Sequence, residues 1–538
     1  MLTANGLLRL AAVSCGVLAT AANALTVRQD ANSTTTCRKT QVAVLGAGVA
    51  GITAAQALSN ASVTDFLIIE RQDHIGGRVS HTSFGYQEDG SPYTVELGAN
   101  WIQGLGSDGP ENPIWFLGKK YNLTNTYSNY SSILTYDETG YTDYTDLLDL
   151  WDDIYDVAED DSGVMLTNNL QDFDARTGFR LADWKPKKDM HAQAVEWWSW
   201  DWETSYAPEA SSFVFGIAGS NVTFNQFGDA NNLVIDSRGF NAFIIGEAST
   251  FLADDDERLL LNTTVTGVNY STDGVVVELG DGSCIEAEHA ISTFSLGVLQ
   301  NDVVEFTPAL PRWKQEVIEQ FQMGTYTKVF MQFNETFWDA DTQYFLYADP
   351  DTRGYYPVWQ SLSTEGFLPG SNIIFATVVG DESYRIEQQD DATTQAECME
   401  VLKAMFPDID IPEPIAFMYP RWSQEEWAFG SYSNWPAGLT LEKHQNLRAN
   451  VDRLWFAGEA QSAEYYGFLQ GAWFEGQEVG MRVASVLGAN QTYGDSSTTI
   501  PGYMTKYEVL HGTTNLTEYN AANGWPVSSF ILYESDDE

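Results

Sequence analysis

Apolar and polar positions along the chain predict strands alternating with helices. In residues 41–58, the apolar run VAVL leads through a glycine-rich turn into an alanine-rich segment. This pattern predicts a strand over residues 42–45, a tight turn and then a helix. The next apolar run predicts a second strand over residues 65–69. A strand, helix and strand in this order are typical of an α/β fold.

Period-two alternation predicts a β-meander over residues 259–299, with Asp-Gly turns at positions 273 and 281. Before it, residues 231–252 predict the end of a strand and an amphipathic helix. After it we expect strands over 327–333 and 373–379 and helices over 312–321 and 393–405. The segment 453–488 predicts a strand, a Gly-Glu turn and a long helix.

The stretch between Tyr127 and Tyr206 is rich in Tyr, Asp and Trp. It predicts loops and helices with several exposed aromatic side chains. An interaction surface or a substrate funnel would explain such side chains, and the alternative is a surplus of core aromatics.

The turn after the first strand has the spacing G-x-G-x-x-G at Gly46, Gly48 and Gly51. Gly46 permits the tight turn, Gly48 lets the backbone approach a pyrophosphate, and Gly51 lets the helix pack closely on the strand. Glu70 ends the second strand about 20 residues later, where an acid that binds a ribose is expected. A glycine turn is often only a turn, but this combination predicts a dinucleotide site.

The triplet Gly76-Gly77-Arg78 follows the second strand. Its backbone N–H groups and guanidinium would form a second phosphate cradle if they face the first. The alternative is an ordinary Gly-Gly turn with a surface arginine.

The chain of 538 residues is long enough for two large domains or one discontinuous pair. Its 75 acidic and 27 basic residues give a formal net charge of −48. This charge argues against nucleic acid and anionic membrane surfaces as partners. It favours a cationic ligand if the acids converge on a cleft, whereas solubility in an acidic medium is the simpler explanation of the total.

The first 24 residues have the pattern of a secretory signal peptide. Arg9 is their only charge, an apolar run covers residues 10–22, and Ala22-Asn23-Ala24 fits the cleavage pattern. Residues 25–39 predict a flexible lead-in, and residues 490–538 a polar, partly disordered tail. No later segment approaches about 20 uninterrupted apolar residues. We therefore expect a secreted, extracellular protein without a membrane span.

Ten Asn-X-Ser/Thr sequons suit a glycosylated extracellular protein. They stand at Asn32, Asn60, Asn122, Asn129, Asn221, Asn262, Asn269, Asn334, Asn490 and Asn515. After Cys15 leaves with the signal, Cys37, Cys284 and Cys398 remain, so we expect at most one disulfide. The sequence has no metal-binding spacing and no G-x-S-x-G, which assigns the chemistry to a cofactor rather than to a metal or a serine nucleophile.

Over residues 41–487 the chain resembles the flavin-containing amine oxidases, most closely the secreted polyamine oxidases of plants. The resemblance rests on seven motifs in family order: VLGAGVAGITAA, IIERQDHIGGR, ELGANWIQG with NPIW, FSLGVL, YTKVF, PRWSQEEWAFGSYSNWP and FAGEAQSAEYYGFLQGA. It implies an α/β fold in which a Rossmann-like FAD-binding domain (residues 40–115, 235–307 and 421–489) is interleaved with a substrate domain. That second domain (residues 116–234 and 308–420) is implied to be a mixed β-sheet flanked by helices.

The resemblance also implies which residues bind FAD. Glu70 would bind the adenosine ribose, and Ala50 and Arg78 would lie along the pyrophosphate. Val265 would hold the adenine region, and Glu459 would lie near the ribityl-pyrophosphate. The full set is Gly46, Gly48, Ala50, Gly51, Glu70, Arg78, Asn100, Trp101, Val265, Trp422, Gly458, Glu459 and Phe468.

On the substrate side, Lys328 matches the family lysine that holds a water against flavin N5, and Tyr326 would line the same cavity. Tyr432 and Phe468 match two aromatics that sandwich the amine. Oxidation of a C–N bond by hydride loss needs a neutral amine held in position. Aromatic walls orient it and exclude water, and a buried lysine there would have a lowered pKa. Without the resemblance, Lys328 reads as a surface lysine and the aromatics as core residues.

Two positions depart from the plant polyamine oxidases. Gln103 stands where those enzymes carry a glutamate facing the substrate tunnel, and Gln470 stands where they carry a histidine. Glu203 still matches the second tunnel carboxylate. Replacing a carboxylate by an amide removes about one charge pair, worth about 1–3 kcal/mol if desolvated. Polyamine use is weakened by this loss but not excluded.

The leading hypothesis is a secreted, monomeric FAD-dependent amine oxidase. It would take a hydride from the carbon alpha to an amine nitrogen, release an imine for hydrolysis to aldehyde and amine, and return the electrons to O₂ as H₂O₂. Spermine and spermidine are the leading substrates. The alternatives are an oxidase of another amine in specialised metabolism and a flavin-binding protein without turnover. A secreted L-amino-acid oxidase and a non-flavin dehydrogenase are less favoured.

Overall fold

The structure, a computed structural model, describes residues 36–106, 111–168 and 170–488, together with 492–493, 498–499 and Tyr507. The elements given below lie in the compact unit Cys37–Glu538. The predicted signal peptide, nearly all of the lead-in and of the tail, and the sequons at Asn32, Asn490 and Asn515 fall outside the described residues, as does the side chain of Asn221.

The strands follow the apolar runs of the sequence. In chain order they are β1 (Arg38–Leu45), β2 (Phe66–Ile69), β3 (His81–Phe84), β4 (Tyr93–Glu96), β5 (Trp101–Gln103), β6 (Asn125–Tyr127), β7 (Ile133–Asp137), β8 (Gly140–Tyr141), β9 (Asn231–Val234), β10 (Leu259–Leu260), β11 (Val265–Tyr270), β12 (Val275–Leu279), β13 (Cys284–Ser292), β14 (Glu305–Thr307), β15 (Gln322–Gly324), β16 (Tyr326–Gln332), β17 (Tyr344–Ala348), β18 (Val358–Ser361), β19 (Ile373–Val379), β20 (Ala416–Met418), β21 (Tyr432–Asn434), β22 (Leu454–Phe456), β23 (Thr492–Tyr493) and β24 (Thr498–Thr499).

The helices lie mostly between strands. They are α1 (Val49–Asn60), α2 (Pro113–Lys120), α3 (Asp146–Thr167), α4 (Ala175–Leu181), α5 (Met190–Glu196), α6 (Trp202–Thr204), α7 (Phe213–Phe227), α8 (Ala242–Ala248), α9 (Leu296–Gln300), α10 (Arg312–Gln320), α11 (Gly380–Glu387), α12 (Asp391–Met405), α13 (Leu441–Arg448) and α14 (Leu469–Val486). A π-helical turn, Trp197–Asp201, joins α5 to α6, and 3₁₀ turns cover Trp422–Gln424 and Glu459–Gln461.

The first large sheet has the order β10-β2-β1-β13-β12-β11-β14, with β22 beside the last three residues of β13. Strands β10, β2, β1, β13 and β22 run parallel, which brings their carboxyl ends to one edge. The strands β11, β12 and β13 are antiparallel neighbours, as predicted for the meander. In open α/β sheets, ligands bind outside the carboxyl ends of the parallel strands. A ligand is therefore expected at this edge of the sheet.

Helices α1 and α14 pack closely because small residues face each other. A Cβ built on Gly476 would lie 2.3 Å from the carbonyl oxygen of Ala50, and one on Gly480 would lie 2.5 Å from that of Ala54. Larger residues at these positions would push the helices apart. The close packing places the beginning of α14 beside the glycine turn that begins α1.

The second large sheet is mixed and has the order β20-β16-β19-β18-β17-β7-β8. All residues of β16, β17, β18 and β19 are buried. Strand β16 nevertheless carries a lysine, Lys328, at its centre. The smaller sheets β5-β9-β6 and β15-β21 pair strands from distant segments of the chain.

The local predictions agree with these elements to within a few residues. Residues 42–45 lie in β1, residues 373–379 are β19, and the predicted strand over 327–333 is β16, shifted by one residue. The interleaving is visible in the two large sheets, because each draws strands from separate parts of the chain. The predicted domain boundaries themselves stay predictions.

The prediction of exposed aromatics between Tyr127 and Tyr206 is wrong for the tryptophans. Tyr127 and Tyr141 are exposed, but the rings of the six tryptophans pack in the core: Trp151, Trp184, Trp197, Trp198, Trp200 and Trp202. Trp198 stacks on Trp202 at 4.6 Å and meets Tyr344 of β17 edge-on at 5.1 Å. The stretch also contains the strands β7 and β8, which the prediction missed.

Cys37 and Cys284 form a disulfide, and Cys398 is a buried free thiol. The disulfide joins the residue before β1 to the first residue of β13, the neighbouring strand. This agrees with the expectation of at most one disulfide. None of the helices within the described ranges has the length and apolar character needed to cross a membrane.

Candidate active site

A long cavity begins at the carboxyl ends of the parallel strands and reaches the end of the second sheet. It encloses about 1860 Å³ of empty space, its open mouth included. Its wall includes residues that follow four parallel strands: the glycine turn after β1, Glu70 after β2, Thr293 after β13 and Gly458 after β22. Lys328, Glu203 and Tyr432 line the same cavity. A single cavity thus connects the predicted dinucleotide site with the predicted substrate site.

The glycine turn is built for close approach of the backbone. Gly46 has φ +112°, and a Cβ on it would lie 2.5 Å from Thr293 Oγ1. A Cβ on Gly51 would lie 2.0 Å from the carbonyl oxygen of Gly46, so Gly51 supports the turn from beneath and is not part of the cavity wall. Gly48 caps α1 without a side chain, and the first turn of the helix has no acidic residue. The N–H groups at this helix end are available to a pyrophosphate.

The second cradle faces the first. Gly48 and Gly76 form a β-bridge, and a Cβ on Gly77 would lie 3.2 Å from the Cα of Gly48. Gly76 and Gly77 both have positive φ, at +124° and +58°. The two glycine loops therefore form one wall, and the structure favours the phosphate cradle over the ordinary turn.

The carboxylate of Glu70 is held at the edge of the cavity. The N–H of Ala47 donates to its Oε2 and the N–H of Gln72 to its Oε1, each at 2.8 Å. These bonds fix the side chain directly beside the glycine turn. Such an anchored acceptor is suited to a ribose hydroxyl.

Arg78 and Glu459 connect the two cradles to the C-terminal turn. Arg78 Nη1 donates to Glu459 Oε1 and to the carbonyl oxygen of Ser431, both at 2.9 Å. Glu459 Oε2 accepts from Ser433 Oγ at 2.5 Å and from the N–H of Gly467 at 2.8 Å. The carboxylate thereby orients the guanidinium along the cavity, where it can bind a phosphate oxygen.

The other predicted cofactor residues also line the cavity: Ala50, Asn100, Trp101, Val265, Trp422, Gly458 and Phe468. Sequence reasoning missed several residues of the wall, among them Tyr130, Trp202 and the run 293–295. Thr293 and Ser295 closely follow β13, and polar residues at the carboxyl end of a parallel strand are a signal that would have found them.

Lys328 is buried and satisfied in its charged form. Its Nζ donates to the carbonyl oxygens of Gly98 (2.6 Å) and Glu96 (3.2 Å) and to Asn100 Oδ1 (2.8 Å). It also lies 5.3 Å from the ring centre of Trp101. Burial lowers the pKa of Lys328 to about 7, while the carboxylate of Glu96 acts in the opposite direction. The side chain can therefore gain or lose a proton near neutral pH.

Glu96 is the buried acid next to this lysine. The N–H of Phe240 donates to its Oε1 at 2.6 Å. Burial raises the pKa of Glu96, whereas the hydrogen bond from Phe240 and the charge of Lys328 lower it. The sequence motif ELGANWIQG contains Glu96, but the sequence does not connect this acid with Lys328, because the two are 232 residues apart.

Gln103 and Glu203 meet across the cavity. Gln103 Nε2 donates to Glu203 Oε1 at 3.3 Å. Burial raises the pKa of Glu203 to about 7, and the hydrogen bond from Gln103 opposes this shift. Glu203 is partly ionised at neutral pH, and a cation in the cavity would favour its charged form.

Three aromatic residues complete the wall around Glu203. The rings of Tyr326 and Tyr432 are 5.9 Å apart, and the hydroxyl of Tyr432 donates to the carbonyl oxygen of Trp202 at 3.3 Å. Phe468 lines the same cavity at the beginning of α14. The walls can hold an organic cation against their faces.

The second departure, Gln470, lies behind the wall. Its side chain is buried and its Nε2 donates to Thr223 Oγ1 at 3.3 Å. The amide thus links α14 to α7 by a hydrogen bond and does not line the cavity.

The described sequons lie at or near the surface. Asn60, Asn122, Asn262 and Asn334 are exposed, and Asn129 and Asn269 are partly exposed. These positions are compatible with glycan attachment, which stays a prediction.

Comparisons with known proteins point to one family. The sequence profile of the family described as "Flavin containing amine oxidoreductase" matches residues 49–484. The chain is 37% identical to Polyamine oxidase 7 of Oryza sativa subsp. japonica over 81% of this chain and 93% of that one. It is also 37% identical to Polyamine oxidase 1 of Zea mays, over 86% and 94% of the two chains.

Among solved structures, putrescine oxidase bound to putrescine is similar with a TM-score of 0.63 at 18% identity, covering 84% of this chain and 99% of that one. This likeness concerns the fold. Together with the profile match, it confirms the predicted α/β fold with a Rossmann-like part interleaved with a mixed-sheet part.

Proposed function

Because the chain belongs to the flavin-containing amine oxidoreductases, we propose that it oxidises polyamines, with spermine and spermidine as the leading substrates. The chain is an amine oxidase, and its cofactor is FAD. The observation that carries the substrate proposal is the position of Glu203 and Lys328 in one cavity with the two glycine cradles.

The residues present fit FAD. The facing cradles around Gly48 and Gly77 leave room for a pyrophosphate where side chains would fill the space. Arg78 supplies a positive charge beside them, and Glu70 supplies a fixed acceptor for a ribose hydroxyl. Asn100 and Trp101 would hold the isoalloxazine end, since they lie where the cavity reaches Lys328.

Bound FAD supplies a two-electron acceptor for a hydride from the carbon alpha to the amine nitrogen, and O₂ takes the electrons as H₂O₂. The chain's own residues bind and orient the amine. Tyr432 and Phe468 form aromatic walls, and Glu203 provides an anionic partner for a second ammonium group of the same molecule. Positioning of this kind accounts for a large part of the rate, because the reacting carbon must be held close.

Lys328 acts as a proton-carrying group at the inner end of the cavity. Its lowered pKa lets it exchange a proton near neutral pH, and its three acceptors hold Nζ in one place. The imine product takes up one water and yields an aldehyde and an amine. The balance is one amine, one O₂ and one water giving one aldehyde, one amine and one H₂O₂.

We propose further that the mature protein is secreted, glycosylated and monomeric. The signal-peptide pattern of residues 1–24 and the exposed sequons support secretion. The disulfide between Cys37 and Cys284 suits an oxidising compartment. Sequencing the N-terminus of secreted protein and measuring its mass before and after deglycosylation test this proposal; an N-terminus at Met1 without a mass change contradicts it.

The activity is tested with the purified holoprotein and a panel of spermine, spermidine, other polyamines and monoamines. Peroxide release is measured in air, bleaching of FAD is measured without oxygen, and the aldehyde product is identified by mass. Turnover of spermine or spermidine supports the proposal. FAD that stays oxidised with every amine refutes it.

The second candidate is an oxidase of another amine. It is favoured by Gln103, whose amide leaves Glu203 as the carboxylate at this point of the cavity. In the same panel, faster turnover of an amine with a single cationic group than of spermidine selects this function.

A further inference from the structure

The carboxylate of Glu203 owes its position to an unusual turn of helix. Helix α5 ends at Glu196, the π-helical turn Trp197–Asp201 follows, and α6 begins at Trp202. An α-helix rotates about 100° per residue, so the extra residue of a π turn rotates everything after it. Trp202 and Glu203, the first two residues after the turn, both line the cavity.

One arginine connects the two ends of the π turn. Arg353 Nη1 donates to Asp201 Oδ2 and its Nη2 to Asp201 Oδ1, both at 2.6 Å. Its Nη2 also donates to Glu196 Oε1 at 2.9 Å. Glu196 and Asp201 are five residues apart, the spacing of one π-helical hydrogen bond. The guanidinium therefore spans the turn from its first end to its last.

The conformation of the loop between β17 and β18 places Arg353 beside the π turn. Asp349 Oδ1 accepts from the N–H groups of Asp351 (3.0 Å) and Thr352 (2.7 Å), which turns the chain just before Arg353. Gly354 follows with φ +82°, and a Cβ on it would lie 2.9 Å from Trp197 Nε1. A residue with a side chain there would push the loop off the π turn.

A second arginine, Arg176, pairs with Glu196 at the beginning of the π turn but not with Asp201 at its end. Arg176 donates to both oxygens of Glu196 and to Glu209 Oε1. Glu196 is fully buried and also accepts from Trp184 Nε1 at 2.9 Å. Arg176 and Trp184 thus anchor the beginning of the turn, while Arg353 reaches Asp201, directly before Trp202 and Glu203.

We propose that Arg353 and Asp201 are positioning residues for amine recognition. By holding the π turn closed, they aim Glu203 at the substrate and keep the carbonyl oxygen of Trp202 beneath the hydroxyl of Tyr432. The proposal rests on the proposed function, because it takes Glu203 as the partner of a substrate ammonium group. The pair acts through Glu203 and touches neither the amine nor FAD.

The test is a double-mutant cycle between Asp201→Asn and Glu203→Gln with spermidine, in the FAD-loaded enzyme. The asparagine has one acceptor oxygen where Asp201 offers two to Arg353. The substitution changes the network from three acids facing two arginines to two acids facing two arginines, so it leaves no arginine in excess. In the wild-type background we expect Asp201→Asn to raise KM by about tenfold, with kcat changed by less than about twofold. In the Glu203→Gln background the same substitution changes KM by less than about twofold.

Glu209→Gln is the matched control, since Glu209 belongs to the same ion network but lies outside the π turn. It should leave KM unchanged. Arg353→Lys, which keeps the charge but loses the two-pronged bond, should repeat the result of Asp201→Asn. FAD content and melting temperature are measured for each variant.

Equal effects of Asp201→Asn in both backgrounds overturn the proposal, because the residue then does not act through Glu203. Loss of FAD from both Asp201→Asn and Arg353→Lys also overturns it, since the network would then serve stability. A failure of the proposed function is seen separately, in a wild-type enzyme that does not oxidise spermidine.

Discussion

Lys328 Nζ lies 2.8 Å from Asn100 Oδ1, although the two residues are 228 positions apart in the chain. The contact joins the centre of β16 to the segment between β4 and β5. It places the one lysine of a buried strand at the inner end of the cavity. The contact thus joins the second large sheet to the segment that connects the two small sheets β3-β4 and β5-β9-β6.

Replacing Lys328 by methionine removes this proton-carrying group. We expect Lys328→Met to slow the anaerobic bleaching of FAD by an amine by about 10²-fold or more, because a positioned acid–base group contributes at least that much. Stopped-flow absorbance of FAD measures the rate.

Lys314 offers a matched control for this substitution. It is also fully buried and also donates to three carbonyl oxygens, those of Asn446, Leu447 and Ala449 at the end of α13. Lys314→Met should lower the melting temperature and leave the bleaching rate unchanged. Equal slowing by both variants contradicts a special role of Lys328.

The pH dependence of KM reports on Glu203. Burial raises the pKa of this carboxyl to about 7, so it is mostly neutral at pH 6 and mostly anionic at pH 8. A cationic substrate binds the anion better, and KM for spermidine should fall by up to about tenfold over this interval. Steady-state kinetics between pH 6 and 9 measure it. In Glu203→Gln this part of the dependence should vanish; a profile identical to the wild type rejects the assignment.

Gln103→Glu places a second carboxylate beside Glu203. Two acids 3.3 Å apart disfavour each other's ionisation, so the pair should share a proton near neutral pH. We therefore expect KM for spermidine at pH 7 to improve by no more than about twofold. A tenfold or larger improvement would indicate that the native substrate is an amine with fewer charges.

Arg78 should contribute strongly to FAD retention. Its guanidinium is oriented by Glu459 along the pyrophosphate cradle, and a hydrogen bond to a charged group is worth about 1.5–3 kcal/mol. Arg78→Met should weaken FAD binding by about 10- to 100-fold, measured by flavin fluorescence on dilution. Arg71→Met is the comparison, because Arg71 forms an exposed ion pair with Glu426 at the mouth of the cavity. This substitution should weaken FAD binding by less than about threefold.

The disulfide should stabilise the first sheet. Cys37 and Cys284 are 247 residues apart in sequence, so the cross-link removes a large loop entropy from the unfolded chain. Cys37→Ser with Cys284→Ser should lower the free energy of unfolding by about 2–5 kcal/mol. Denaturant melts of this variant against Cys398→Ser, which leaves the disulfide intact, provide the measurement. Equal stability of the double variant and the wild type would show that strand pairing alone holds this edge.

Local features of the fold were predictable because they depend on neighbouring residues. The apolar run, the glycine turn and the helix around Gly48 follow from side-chain period and backbone freedom within a few positions. Glu70 was predictable from its spacing to that turn. Residues such as Lys328 and Glu203 were found through the resemblance of whole motifs, since a single lysine or glutamate carries no local signal.

The sequence by itself determined the strand–turn–helix unit, the acid after β2 and the order of the family's motifs. The tertiary structure decided what burial and long-range contacts control: the buried tryptophans between residues 127 and 206, the three acceptors around Lys328, and the bond from Gln103 to Glu203. It also decided that Arg353 reaches Asp201, 152 residues away. Such contacts depend on how distant segments pack, and no local pattern of apolar and polar residues encodes them.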